Sequence, residues 1–208
     1  MENLIINKNI EGKASFEWIR SAFFCFREQP LHFILLSAIF IGIGLLPLFS
    51  AFMSPLFNAR FAAIAKGIEN GERIQISELF NNFFANQTLV RLAFLSFVLV
   101  AIIITSMSLV GREFAVIFLL PLSILLLALW LSPVICLYNP EIQPLSAMWL
   151  SIQFAIYNVP VVFMFSIMVL VFTLLAILPL GLGLIIWVPV LNITSYYIYK
   201  YAFVRSKS

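Results

Sequence analysis

The stretch MSPLFNARFAAIAK, from Met53 to Lys66, returns in altered form as WVPVLNITSYYIYK, from Trp187 to Lys200. Pro stands third in both, Asn sixth, Ile twelfth and Lys last, at a distance of 134 residues. One copy carries Arg60 where the other carries Thr194. The likeness continues upstream. SAFFCFREQPLHF, from Ser21 to Phe33, and SIQFAIYNVPVVF, from Ser151 to Phe163, share Ser, Phe, Pro and Phe at one spacing, 130 residues apart. Each is followed by an apolar run that reaches Leu-Pro-Leu, at Leu46–Leu48 and at Leu178–Leu180. Both ends of the chain therefore read as one unit: a surface helix, a proline, a hydrophobic helix, a Leu-Pro turn, a second hydrophobic helix and a lysine.

The solvent this unit expects follows from composition. Of 208 residues, 63% are hydrophobic and 10% charged, with a mean hydropathy of +1.08. Soluble domains carry about 25% charged residues. No soluble fold of this size has enough interior for so much apolar surface. The charge-free runs settle the class: 31 residues between Glu28 and Arg60, 20 between Arg91 and Arg112, 27 between Glu113 and Glu141, and 58 between Glu141 and Lys200. About 20 apolar residues make one membrane-crossing helix. The expectation is an all-α, polytopic membrane protein with one membrane domain over residues 1–208. The short alternating strands of a transmembrane barrel are missing.

The middle of the chain reads as a degraded third copy. It has ISELFNNFFANQTLVRLAFL from Ile76, a hydrophobic helix, a turn at Gly111 and a second helix containing LSPV. Repeat units of about 15–68, 77–138 and 144–203 follow. They predict six spans in three hairpins, over 31–49, 52–68, 90–110, 114–138, 159–178 and 184–203. Pro30 and Pro160 suit the first turn of a helix. Phe52–Lys66 would cover only about 22 Å, so the second span reads as short and tilted.

Each hairpin is preceded by a candidate interfacial helix. In SFEWIRSAFFCFRE, residues 15–28, one half of the helical wheel carries Phe16, Trp18, Ile19, Ala22, Phe23, Cys25 and Phe26. The other carries Glu17, Arg20, Ser21, Arg27 and Glu28, with Phe24 among them, as in a helix lying flat among headgroups. Ser15 is the expected N-cap, and Glu17 suits the first turn. The second candidate starts at Ser77 with Glu78 in its first turn; the third, near Pro144, has no charge and reads as packed under other helices. The competing reading makes all three the polar ends of long membrane helices.

Orientation follows from the basic residues. Lys8, Lys13, Arg20, Arg27, Lys66, Arg73, Arg91, Lys200, Arg205 and Lys207 fall on one side of this arrangement, and Arg112 alone on the other. The positive-inside rule then places both termini in the cytoplasm. The six tyrosines gather near the same interface. All copies start and end on one side, so the repeat is parallel rather than the inverted kind typical of alternating-access transport. The N-terminus MENLIINKNIEGK does not have the pattern of a secretory signal peptide. The net charge of +3 lies in the polar segments and fits the inside bias, not a nucleic-acid partner.

Three residues stand out as contacts for an anion or a lipid: Arg60, Asn58 and Asn192. Arg60 falls near the middle of the second predicted span, where a charge is costly unless paired, wet or snorkelling. No Asp or Glu lies in any predicted span. Three readings stay open for Arg60: a snorkelling or carbonyl-capping role, a place near the cytoplasmic face, or a cavity position that holds an anion or lipid head. Asn58 and Asn192 are equivalent in the repeat, and such residues more often bond between helices than bind ligand. Cys25 and Cys136 have neither metal nor redox spacing and read as apolar fillers; His32, the single histidine, sits at an interface. No cofactor or metal is expected. Phosphate loops, zinc-helix motifs, nucleophile elbows and paired carboxylates within the membrane are lacking, so the chain is not expected to be an enzyme.

Trp18, Ile19, Phe23, Phe26, Arg27 and Pro30 form the run W-I-x-x-x-F-x-x-F-R-x-x-P. Together with the loop of Gly71, Glu72 and I-S-E-L-F, and the close LPLGLG…PV, it resembles a family of uncharacterised bacterial six-helix inner-membrane proteins. The likeness covers nearly the whole chain. It is more distantly similar to the membrane domain that precedes some glycerophosphoryl diester phosphodiesterases, whose soluble catalytic domain has no counterpart in this sequence. These motifs are aromatic, proline and glycine positions. They imply an architecture in the inner membrane and carry over no catalytic residue. The function expected is a non-enzymatic scaffold that binds membrane lipid or another envelope protein. The rivals are a small-solute or anion transporter or channel, and a membrane immunity protein.

Overall fold

The computed structural model describes residues 4–73, 75, 84–110 and 119–205. The described residues are 81% helix, in eight helices. The interfacial helix expected from Ser77, the turn at Gly111 and the Arg112–Glu113 pair lie outside them.

The chain opens with a short strand, β1 (Leu4–Ile6), and then α1 (Ala14–Glu28). Trp18, Ile19, Ala22, Cys25 and Phe26 are buried, and Phe16, Phe23 and Phe24 are exposed. Ser15 is not the cap. Lys13 occupies that position without a side-chain capping bond, its ammonium pairing with Glu11 instead, and the buried Ser15 hydroxyl donates to the Gly12 carbonyl at 2.6 Å. Glu17 does sit in the first turn.

A proline disfavours the helical conformation in the residue before it. Gln29 accordingly leaves the helix (φ −140°, ψ 63°), and α2 (Pro30–Gly44) departs at 106° to α1. So α1 and α2 are two helices set at a sharp angle, and α1 packs mainly against α8, with further contacts to α3 and α7. After two residues α3 (Pro47–Glu69) begins, with Pro47 in its first turn. This corrects the expected boundaries. Pro47 starts a helix instead of occupying the turn, because its missing amide costs nothing there. The 23-residue α3 is about 35 Å long, not the short span expected.

Next come α4 (Gln87–Val110), α5 (Leu119–Tyr138) and α6 (Pro144–Tyr157). The last elements are α7 (Val159–Ile177), α8 (Leu184–Ala202) and β2 (Phe203–Arg205). The turn between α7 and α8 is tight. Leu180 and Gly181 both take positive φ, at 54° and 81°. A Cβ on Gly183 would come within 2.7 Å of the Ala176 backbone, so only glycine permits that approach. Trp187 Nε1 donates to Thr173 Oγ1 across the same pair of helices, at 2.8 Å.

Four helical stretches are long and apolar enough to cross a membrane: Leu48–Glu69, Gln87–Ser108, Pro121–Tyr138 and Val159–Ile177. A fifth results if the bent pair α1–α2 counts as one span. That number is compatible with a multi-pass membrane protein and is below the six expected, for two physical reasons. With 15 residues, α2 covers about 22 Å against a hydrocarbon core of about 30 Å. The apolar pattern of α8 is diluted by Asn192, Thr194, Ser195 and a row of tyrosines, and the helix is buried instead. It packs against α1, α2, α3, α5 and α7. In contrast, α7 is apolar all round, and Phe163, Leu170 and Leu174 on it are exposed.

The two strands pair antiparallel, with Leu4 opposite Arg205 and Ile6 opposite Phe203. They join the two ends of the described chain. The fully buried Asn158, at the break between α6 and α7, anchors the segment that follows β1. Its Oδ1 accepts from the Ile10 amide and its Nδ2 donates to the Asn7 carbonyl, each at 3.0 Å.

Candidate functional site

Prolines inside three helices shape the centre of the bundle: Pro55 in α3, Pro133 in α5 and Pro189 in α8. A proline within a helix removes the bond to the carbonyl four residues back. For Pro55 that carbonyl belongs to Ala51, and the buried Ser96 of α4 donates its hydroxyl to it at 2.8 Å. The bond lost from within α3 is thus replaced by one that ties α3 to α4.

A second tie between helices lies at α5. The buried Ser151 of α6 accepts from the Leu131 amide at 3.2 Å and donates to the Leu127 carbonyl at 2.5 Å. These two backbone groups are each other's partners in an ordinary helix. A hydroxyl from the next helix thus touches both groups of one rung of the α5 ladder and ties α6 to α5. The close approach this needs comes from Ala147, Ser151 and Ala155, small buried residues spaced four apart on α6.

The irregular parts of α3 and α5 face a central cavity of about 750 Å³, which α2, α4 and α7 also line. Phe40, Trp130 and Phe165 supply its aromatic walls, and the rings of Trp130 and Phe165 stack 5.2 Å apart. Its polar groups are few: Ser50, Ser54, Asn58, Ser96 and Ser166. None of the described lining residues is charged. A volume in the range of small-molecule pockets, apolar walls and a few placed polar groups are the marks of a site for a lipophilic or amphiphilic molecule.

Of the three residues singled out from sequence, one reaches this cavity. Asn58 lines it and ties three helices together. Its Oδ1 accepts from Ser195 Oγ of α8 at 2.9 Å, and its Nδ2 points at the Trp130 carbonyl of α5 at 3.5 Å. Arg60 is half-buried near the middle of α3 but is not part of the lining. Two residues on a helix are separated by about 200° of rotation, so Arg60 points away from the face that carries Asn58. Asn192 turns inward on its own helix, donating to the Val188 carbonyl at 2.8 Å. Its backbone carbonyl lies 2.6 Å from Ser195 Oγ, so the single Ser195 proton is shared between this carbonyl and Asn58 Oδ1, and the two equivalent asparagines meet through Ser195.

A smaller hollow of about 300 Å³ lies where α3, α5 and α8 end, lined by Lys66, Lys200, Tyr138, Tyr196, Tyr199 and Phe203. Its cations are engaged. Lys200 pairs with Glu69, which also accepts from the Tyr196 hydroxyl at 2.6 Å, and Lys66 lies over the Tyr138 ring at 4.6 Å. Sequence reasoning missed Glu69 because the second predicted span ends at residue 68, one residue before it. The usable signal was the spacing of Tyr196 and Lys200, one helical turn apart, opposite an acid three residues from Lys66.

Among the described residues no group of His, Cys, Asp and Glu could hold a metal ion, and both cysteines are buried. Comparison with known protein families, curated proteins and solved structures found no match for this chain.

Proposed function

We propose that this is a non-enzymatic, multi-pass protein of the bacterial inner membrane that holds a lipid or lipid-like molecule in its central cavity and serves as a membrane scaffold. In this reading six helices cross as three parallel hairpins, with α2 and α8 completing crossings beside their longer partners. Both termini are cytoplasmic, and the flat α1 lies in the headgroup layer. The resemblance to six-helix inner-membrane proteins and to the phosphodiesterase membrane domain belongs to the same proposal.

The observation that carries it is the lining of the cavity: three aromatic side chains, scattered hydroxyls and one amide, with no charge. Such a site favours an alkyl chain with a polar end. A pathway driven by protons or by anions would call for titratable or cationic groups along it, which weighs against the transporter.

Native mass spectrometry of gently purified protein tests the proposal. One lipid-sized mass is expected on the wild type. It should persist in Arg60→Ala, whose side chain lies on the other face of α3. It should be lost or weakened in Ser54→Phe, which puts a phenyl ring into the lining of the cavity. Equal occupancy in wild type and Ser54→Phe would refute the lipid site.

A further inference from the structure

A second apolar surface lies on the outside of the bundle, between α4, α5 and α6. Two hollows of about 460 and 470 Å³ meet there at Leu145, which lines both. Along α4 the lining runs through Arg91, Leu95, Leu99 and Ile103, one residue per turn. Twelve residues of helix make this stripe about 18 Å long, close to the thickness of one leaflet, about half of a 30 Å core. Leu145 and Trp149 form the opposite wall, and both are exposed, as are Phe94 and Ile102 on α4.

One end of the groove differs from the rest. Arg91 lines it, is exposed, and makes no ion pair among the described residues. Facing it is the start of α6, where Gln143 and Pro144 lie in the lining and no side chain caps the first amides. No acid is in the described lining; the exposed Glu141 is on the adjoining turn.

We propose that this groove binds one anionic glycerophospholipid of the leaflet on the Arg91 side. The phosphate rests on the Arg91 guanidinium, which can grip it with two parallel N–H donors. One acyl chain lies along the α4 stripe to Ile103. The cation and the leaflet-length apolar track carry this argument, independently of the central cavity.

Trp149 reports on the groove directly. The protein is reconstituted in vesicles that contain brominated-chain phosphatidylglycerol or brominated-chain phosphatidylcholine, and the Trp149 signal is isolated by subtracting Trp149→Phe. Half-maximal quenching is expected at an about fivefold lower mole fraction of the anionic lipid, the factor one basic residue contributes near an anionic surface. The preference should disappear in Arg91→Gln and persist in Arg91→Lys. Both positions are exposed, so the variants test the contact rather than the fold. Equal quenching by the two lipids in the wild type, or an unchanged preference in Arg91→Gln, would overturn the headgroup contact. Absence of quenching by either lipid would mean that protein covers the groove, and would overturn the proposal entirely.

Discussion

The two ends of the chain share a sequence pattern and use it differently. In the first end, Pro47 of Leu-Pro-Leu starts α3; in the second, Pro179 lies in a turn whose next two residues have positive φ. In the first, Asn58 faces the cavity and bonds to α8; in the second, Asn192 bonds within its own helix. Half of the best crossing window of α3 is buried, against 17% for α7, which precedes the C-terminal turn. A repeated residue therefore preserves a place in a helix without preserving a task. The departures between the copies, more than the matches, mark where this molecule is specialised.

The largest effect that could break this comparison is expected at the turns. Gly183→Val places atoms against the Ala176 backbone and at the start of α8. It should cost about 3 kcal/mol or more, toward the upper end of overpacking penalties. Gly42→Ala in α2 meets nothing within 4 Å and should be neutral or slightly stabilising. Thermal unfolding in one detergent checks both. Equal losses would mean that the two turns are built alike.

A smaller difference is expected between the asparagines. Asn58→Ala removes an acceptor from Ser195 and a donor near Trp130. It should destabilise by about 1 kcal/mol, within the range measured for hydrogen bonds between membrane helices. Asn192→Ala removes a bond within one helix and should cost less than about 0.5 kcal/mol. The same melting experiment separates them, and a reversed order would contradict the assignment of Asn58 as the residue that ties the bundle.

The mildest expectation concerns the thiols. Burial pushes the Cys25 thiol up to about 12, and Cys136 is buried as well. At pH 7 to 8 the thiolate that reacts is therefore scarce. A water-soluble maleimide should label neither cysteine in the native protein and both after denaturation. Rapid native labelling of Cys25 would show that α1 is not seated on the bundle as described.

Much of the helical order was legible because its causes are local. Charge-free runs mark where the chain can be lipid-facing, and Pro30, Pro144 and Pro160 mark where helices begin. Of the apolar half of α1 read from the wheel, Trp18, Ile19, Ala22, Cys25 and Phe26 are buried while Phe16 and Phe23 stay exposed. What escaped depends on partners distant in sequence. Pro47 as a helix start cannot be told from Pro47 in a turn without the packing of α3. The strands β1 and β2 are three residues each, too short for an alternating pattern, and pair only where the two ends meet, with the Asn7 amide donating to the Ala202 carbonyl beside them. Ser151 looked like one more helix residue, yet its hydroxyl touches both groups of one rung of α5. Of the three residues singled out by type, Asn58 lines the cavity while Arg60 and Asn192 do not, because which face of a helix meets a cavity depends on packing against distant helices.

The most direct measurement uses the repeat as its own control. Ser54 and Val188 hold the same place in the two quoted stretches, but only Ser54 lines the cavity. Native mass spectra of Ser54→Phe and Val188→Phe, purified side by side with the wild type, should show the bound lipid lost or weakened in the first and kept by the second. Undiminished retention in Ser54→Phe, or equal loss from both, would contradict the claim that the central cavity is the lipid site.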